Sequence, residues 1–352
     1  MIQRTAASIE ARTPDIAPTR WQSILAESVT SPEALLQACG LDPAEWLSGA
    51  RPGHRLFPVR VPAPYLGRIR RGDPDDPLLR QILPLAEEAM IVPGYVADPL
   101  DEEVRSPALG LIRKYQSRAL LMITGQCAIN CRYCFRRHFP YDEHRLSPQA
   151  REAALSTLAA APEINEIIFS GGDPLAVNDR LLARWSESLD QIPHLKRLRI
   201  HSRLPVVIPQ RVDDALLDWL GKSRLKPILV IHVNHPREVD DQVVSALARL
   251  QQAGVTLLNQ SVILRGVNDH ADTLCELSER LFDAGVMPYY LHAFDPVAGA
   301  QHFDVPDDQA RALIRSMQSR LPGYLVPRLV REIPGRDSKT LLDPGMERSL
   351  PE

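Results

Sequence analysis

From residue 120 onward, apolar and polar positions fall into a repeating unit. A short run of β-branched and other apolar residues gives way to a polar loop, then to a stretch with apolar positions three and four apart. The first pattern predicts buried strands and the second amphipathic helices. Strands are expected at residues 120–124, 166–170, 197–201, 228–234, 255–264, 288–294 and 324–331. Helices are expected at 148–160, 179–189, 213–220, 237–252, 271–282 and 307–320, with Gly221, Gly254 and Gly285 as stop signals. Strand and helix alternating with a recurrence of about 30 residues predict parallel strands joined by right-handed crossovers. Six or seven such units predict an α/β fold in the form of an incomplete barrel; an open doubly wound sheet is the alternative.

Residues 1–100 read differently. Ser31 to Cys39 offers an N-cap, an early proline and an apolar stripe closed by Gly40, and Asp42 to Leu47 is similar. Between residues 51 and 93, Pro52, Pro58, Pro62, Pro64, Pro74, Pro77 and Pro84 predict extended connections wrapping a larger body. Trp21 and Trp46 read as packing residues. The organisation expected is a mainly helical, proline-rich extension (1–100), a barrel (101–340) and a short tail (341–352).

The chain has 352 residues, 44% of them apolar, which is ample for one large core. A net charge of −3 points to no nucleic-acid or membrane surface. The first residues carry no long apolar run, so no leader is expected, and no segment reaches the length of a membrane span. The five cysteines do not resemble a disulfide framework, and a cytoplasmic location is expected.

Three of those five cysteines, Cys127, Cys131 and Cys134, fall within eight residues as C-x3-C-x2-C, just past the first strand. A structural zinc wants four protein ligands, and only three thiols are local. Iron–sulfur clusters are held by thiolates, and three leave one iron of a four-iron cluster open to a small chelating molecule. A zinc site completed by His138, or three buried cysteines without a role, are the alternatives.

The spacing, with Tyr133 before the last cysteine, is similar to the signature of radical S-adenosylmethionine (SAM) enzymes. The continuation Cys134-Phe-Arg136-Arg137-His-Phe resembles the lysine 2,3-aminomutase family, most of all its elongation factor P β-lysylation branch. That resemblance runs from about residue 115 to 339. It implies a partial (β/α)6-type radical SAM barrel, a [4Fe-4S] cluster, SAM and pyridoxal 5'-phosphate (PLP) as cofactors, and L-lysine converted to (R)-β-lysine. It also implies an external, flavodoxin-like electron donor and a link to elongation factor P and its ligase. A homo-oligomer is compatible with it. A free-standing mutase for lysine or another amino acid, and a non-catalytic iron–sulfur or zinc protein, are the rival functions.

In α/β barrels chemistry gathers at the C-terminal strand ends. The residues there are the cysteine loop, Gly171-Gly172-Asp173, His201-Ser202, His232 and Asn234, Asn259-Gln260, His292 and Asp295, and the stretch from Glu332 to Lys339. The glycines allow close backbone approach to a ligand, and Asp173 offers a carboxylate to an ammonium group. For His201 and His292 a capping or loop role is the better expectation, and Arg137 reads as a surface residue. The resemblance implies that Cys127, Cys131 and Cys134 hold three irons, and that Gly171, Gly172, Asp173, Tyr133 and Gln260 contact SAM. It also implies that Lys339 carries PLP, with Lys114 and Arg118 on its phosphate. Arg136 would clamp the substrate carboxylate, and Asp295 with Glu332 would take the distal ammonium. Longer family members bind a structural zinc through C-terminal cysteines; this chain has none of these, and His270 stands where they place another zinc cysteine, so no zinc is expected.

Overall fold

The computed structural model describes residues 21–102, 110–141 and 147–345. The start of the expected extension and the end of the expected tail lie outside the described residues. Nine strands form one sheet: β1 (Leu111–Tyr115), β2 (Arg118–Thr124), β3 (Glu166–Gly171), β4 (Arg197–Ser202), β5 (Lys226–Ile231), β6 (Thr256–Val262), β7 (Met287–His292), β8 (Arg328–Arg331) and β9 (Thr340–Leu341). They are hydrogen-bonded in strictly sequential order. β2 to β8 are mutually parallel, while β1 and β9 run antiparallel along the two edges.

This order decides between the two expected folds. A doubly wound sheet reverses its strand order at a switch point, and this one never does. Right-handed crossovers then place every connecting helix on the same face, and the twisted sheet curls around the other. No ladder joins β9 back to β1 among the described residues, so the barrel stays open. All seven expected strands are present. β1 and β9 are additions at the edges.

Before the sheet come α1 (Trp21–Ala26), α2 (Pro32–Cys39), α3 (Pro43–Leu56), α4 (Ala63–Leu66) and α5 (Pro77–Arg80). Within the barrel come α6 (Pro148–Ala159), α7 (Asp179–Asp190), α8 (Leu204–Val207), α9 (Asp214–Lys222), α10 (Asp241–Gln252), α11 (Ala271–Asp283) and α12 (Asp307–Gln318). Gly254 and Gly285 adopt the left-handed conformation that follows helices (φ 80° and 75°). Gly221 departs from expectation, since α9 runs through it to Lys222. So does Pro52, which lies inside α3 rather than in an extended connection.

Apolar stripes explain the packing. Leu182, Trp185 and Leu189 of α7, Leu216 and Trp219 of α9, and Val243, Leu247 and Leu250 of α10 are buried against the outer face of the sheet. The extension joins the same core through Leu35, Leu36, Tyr65, Leu78 and Leu79, all fully buried. Strand alternation sends opposite residues inward: on β4, Leu198 and Ile200 face the helices, while Arg199 and His201 line the barrel's interior, joined at the strand's end by Ser202.

Candidate active site

The open barrel encloses a cavity of about 240 Å³. Every residue singled out above for a cofactor or substrate lines it: the three cysteines, Tyr133, Arg136, Gly171, Gly172, Asp173, Gln260, Asp295, Glu332, Lys339, Lys114 and Arg118. The barrel thus gathers side chains more than 200 positions apart in sequence, from Lys114 to Lys339.

The cysteine loop leaves β2 at Thr124 and is held from two sides. On one side Gly172 N donates to Thr124 O and Asp173 N to Gln126 O, each at 2.7 Å. Gly171 sits at φ 122°, and a Cβ on either glycine would strike the backbone of residues 124–126. The glycines thus permit close approach of the cysteine loop, and both also line the cavity. On the other side Asn130 N donates to Arg60 O (3.0 Å) and Arg132 N to Gln81 O (2.8 Å), both from the N-terminal segment.

Arg132 is fully buried. Its Nε donates to Glu88 Oε1 (2.9 Å), Nη1 to Phe57 O (2.6 Å) and Nη2 to Gly53 O (2.9 Å). Arg137 donates from Nη2 to the same Glu88 at Oε2 (2.6 Å) and from Nη1 to Gly299 O (2.6 Å). The expected surface arginine is thus a buried clamp, because a guanidinium enters the interior only with a carboxylate beside it.

Burial pushes the Cys134 thiol up to about 11 and Cys127 well above its ordinary value, and the neighbouring sulfurs add to both. Arg203 Nη1 donates to Cys131 Sγ at 2.7 Å, and the same guanidinium lies over the rings of Tyr65 and Tyr133. Asp173 is buried with four donors on its carboxylate: Leu175 N and Ser202 Oγ on Oδ1 (3.0 and 2.7 Å), Arg203 N and Leu204 N on Oδ2 (2.8 and 2.9 Å). These fill the capacity of a carboxylate. In this arrangement the side chain fastens the end of β4 to the cysteine loop, and it lines the cavity as well.

The remaining charges form an alternating row. Arg136 grips Glu102 in bidentate fashion, Nε to Oε2 at 2.6 Å and Nη2 to Oε1 at 2.8 Å. Lys114 Nζ lies 2.6 Å from Glu102 Oε1 and donates to Glu332 Oε1 at 2.7 Å. Lys339 Nζ donates to Glu332 Oε2 at 2.6 Å. Burial alone would raise both acids, but the cations prevail: Glu102 is held down at about 2 by Arg136 and Lys114, and Glu332 lies well below the carboxylate range beside Lys339 and Lys114. Asp295 has no such partner. Burial, then the charge of Glu332, pushes it up to about 7. Arg118 lies over the Tyr115 ring at 4.1 Å.

Five buried nitrogens of cavity-lining residues have no hydrogen-bond partner among the described residues: His201 Nε2, His232 Nε2, His292 Nε2, Gln260 Nε2 and Arg203 Nε. Burial lowers all three imidazoles, His232 to about 4, so they stand neutral at physiological pH. Orphaned buried nitrogens are costly, and a polar ligand in the cavity would satisfy them. For His201 and His292 this overturns the expected loop role. Three thiols in one loop, aligned cations and orphaned donors fit an iron–sulfur cluster with polar, anionic cofactors beside it.

The Radical SAM superfamily pattern matches residues 121–277, from within β2 to within α11. The chain is 52% identical to L-lysine 2,3-aminomutase of Escherichia coli (strain K12) over 323 residues, 92% of this chain and 94% of that one. The L-lysine 2,3-aminomutase of Haemophilus influenzae is 46% identical over 91% of this chain and 95% of its own. The chain belongs to the lysine 2,3-aminomutase family. It is a radical SAM isomerase, and the family uses a [4Fe-4S] cluster, SAM and PLP. The L-lysine 2,3-aminomutase of Clostridium subterminale is also similar, 38% identical over 80% of this chain but 68% of its own. No helix among the described residues is long and apolar enough to cross a membrane.

Several residues around this family's cavity escaped the sequence reading: Glu88, Glu102, Arg203 and the pair Tyr289 and Tyr290, whose rings are tilted by 36° with centroids 3.8 Å apart. One signal was present. Arg132, Arg136 and Arg137 flank the cysteines, and cations so close to a buried loop require acidic partners.

Proposed function

We propose that this chain is a lysine 2,3-aminomutase that uses a [4Fe-4S] cluster, SAM and PLP to convert L-lysine to (R)-β-lysine for the modification of elongation factor P. The observation that carries this reading is the single cavity in which the three thiols share walls with Lys339, Arg136 and the acidic pair Asp295 and Glu332. When bound, the reduced cluster and SAM supply a hydrogen-abstracting radical, and PLP supplies the group that carries nitrogen from C2 to C3. A one-electron donor of the flavodoxin kind keeps the cluster reduced.

The residues divide the remaining work. Cys127, Cys131 and Cys134 hold three irons. Tyr133, Gln260, Gly171, Gly172 and Asp173 contact SAM, and the last three also keep the loop in place around it. Lys339 anchors PLP, and Lys114 and Arg118 face its phosphate. Arg136 binds the substrate carboxylate, a task suited to a guanidinium. Asp295 and Glu332 receive the ε-ammonium, which neutralises a carboxylate that burial disfavours. The neutral histidines and the surrounding aromatic rings exclude water from the radical chemistry. The link to elongation factor P draws on the motif from Cys131 to Phe139, and on a match spanning 94% of the Escherichia coli relative against 68% of the clostridial one.

The test is anaerobic incubation of the reconstituted protein with L-lysine, SAM, PLP and dithionite, followed by chiral product analysis. β-Lysine with about four irons per chain is expected. Turnover of glutamate or arginine in place of lysine, or no β-amino acid from a fully loaded protein, would overturn the substrate assignment. Cells lacking this chain should contain elongation factor P without its β-lysyl group.

A further inference from the structure

Glu102 has no part in the roles just assigned, yet it is among the most deeply buried charges in the molecule, 1% exposed. It lies at the end of the N-terminal segment, outside the barrel's strands and helices. Its two oxygens take the Nε and Nη2 hydrogens of Arg136, and Lys114 closes on Oε1. A guanidinium carries five N–H donors in one rigid plane. Glu102 consumes one edge of that plane. Ser170 Oγ accepts from Nη1 at 2.9 Å, and Gly171 O takes a long contact from it at 3.3 Å. The second Nη2 hydrogen has no acceptor among the described residues, and the edge between Nη1 and Nη2 becomes fully available to a ligand once the long Gly171 contact is given up. Arg136 is therefore oriented before any ligand arrives, and the weak Gly171 contact is all that a bidentate ligand on this edge must displace.

We propose that Glu102 is the positioning residue for substrate-carboxylate recognition: it fixes the plane of Arg136, and holds Lys114 beside it, so that only the Nη1–Nη2 edge receives a ligand carboxylate. This rests on the reading of Arg136 as the carboxylate anchor. Glu102 also fills the place a ligand carboxylate would otherwise take between the two cations. Without it, a bound amino acid would be drawn toward Lys114, one position along the row of charges and away from Ser170. Its low proton affinity, set by Arg136 and Lys114 against burial, keeps this brace charged through the physiological range.

The experiment compares L-lysine with cadaverine, which has both amines and no carboxylate, by anaerobic equilibrium dialysis of enzyme loaded with cluster and PLP. Wild-type protein should bind lysine more tightly than cadaverine. Glu102→Gln should raise the dissociation constant for lysine about 10- to 100-fold, as loss of a group that orients a ligand-binding side chain does, and leave that for cadaverine unchanged. Glu102→Asp, which keeps the charge with a shorter reach, should move lysine affinity in the same direction by less. It carries the test if the glutamine variant cannot be loaded with iron and PLP. Unchanged lysine affinity in both variants would overturn the inference. Equal weakening of both ligands would also overturn it, since Glu102 would then support the site in general. If wild-type protein does not prefer lysine, the assignment of Arg136 falls, and the inference with it.

Discussion

At the scale of single residues, the site sets two acids against each other. Glu332 stays ionised between two lysines, while half-buried Asp295 is pushed up to about 7 by desolvation and by the charge of Glu332. Titratable neighbours whose proton affinities diverge take different roles. The sign of the consequence follows from linkage. Asp295 binds its proton more tightly in the folded chain than in the unfolded one, where it titrates near about 3.9. Its contribution to stability is therefore full at low pH and is lost as pH rises from about 4 to 7. An incoming ammonium needs the ionised form. Lysine affinity should rise with pH up to about 7 and then level off, with a proton released on binding at lower pH. Calorimetry in buffers of different ionisation enthalpy measures that proton, and Asp295→Asn should abolish its release. A pH-independent affinity in the native protein would mean that Asp295 does not face the ammonium. Such residues were legible in the sequence because they follow strand ends and sit in a specific motif. Glu102 was not: within Asp101-Glu102-Glu103 it reads as one more solvated acid, and only its burial reveals it.

At the scale of elements, legibility followed burial. The parallel strands were readable where apolar residues run nearly unbroken, as in β3, all six of whose residues are buried, or alternate with polar residues of the cavity, as in β4. The edge strands lack that signature: β1 carries Arg113 and Lys114, and β9 is two residues long. The turn after β3 is where element geometry meets chemistry. Gly171 holds a backbone angle that other residues rarely adopt, and a side chain there would meet the carbonyl of Thr124. Gly171→Ala should cost on the order of 1–3 kcal/mol, read from the urea midpoint of the metal-free protein. It should also lower iron content after reconstitution, because the displaced backbone is that of the cysteine loop. Full iron loading with an unchanged midpoint would show that the loop tolerates the shift.

At the scale of the whole molecule, the N-terminal segment is more than the wrapping its prolines suggested. Glu88, fully buried, holds Arg132 and Arg137 on either side of the third cysteine. Removing one partner of a buried ion pair costs about 3–5 kcal/mol. Glu88→Gln should lower stability by that order in urea unfolding, and a chelator should strip iron from the variant faster. An unaltered midpoint together with native chelation kinetics would assign the anchoring to the backbone hydrogen bonds of Asn130 and Arg132 alone. The sequence could not disclose this division of labour, because acid and arginines are 44 and 49 positions apart and no local pattern couples them.

The placement of these two acids bears on how the chain can be divided. Severed anywhere between Glu102 and Leu111, the barrel would retain every strand and all three cysteines of the loop, yet Arg132 and Arg137 would lose Glu88, and Arg136 and Lys114 would lose Glu102. A fragment beginning at β1 would thus inherit four cations in a low-dielectric interior, with only Glu332 left to answer one of them. Repulsion among like charges would open it at the very loop that binds iron. The barrel supplies the architecture, but its electroneutrality is borrowed from the hundred residues that precede it, and the two pieces are a single unit for expression, transplantation or recombination.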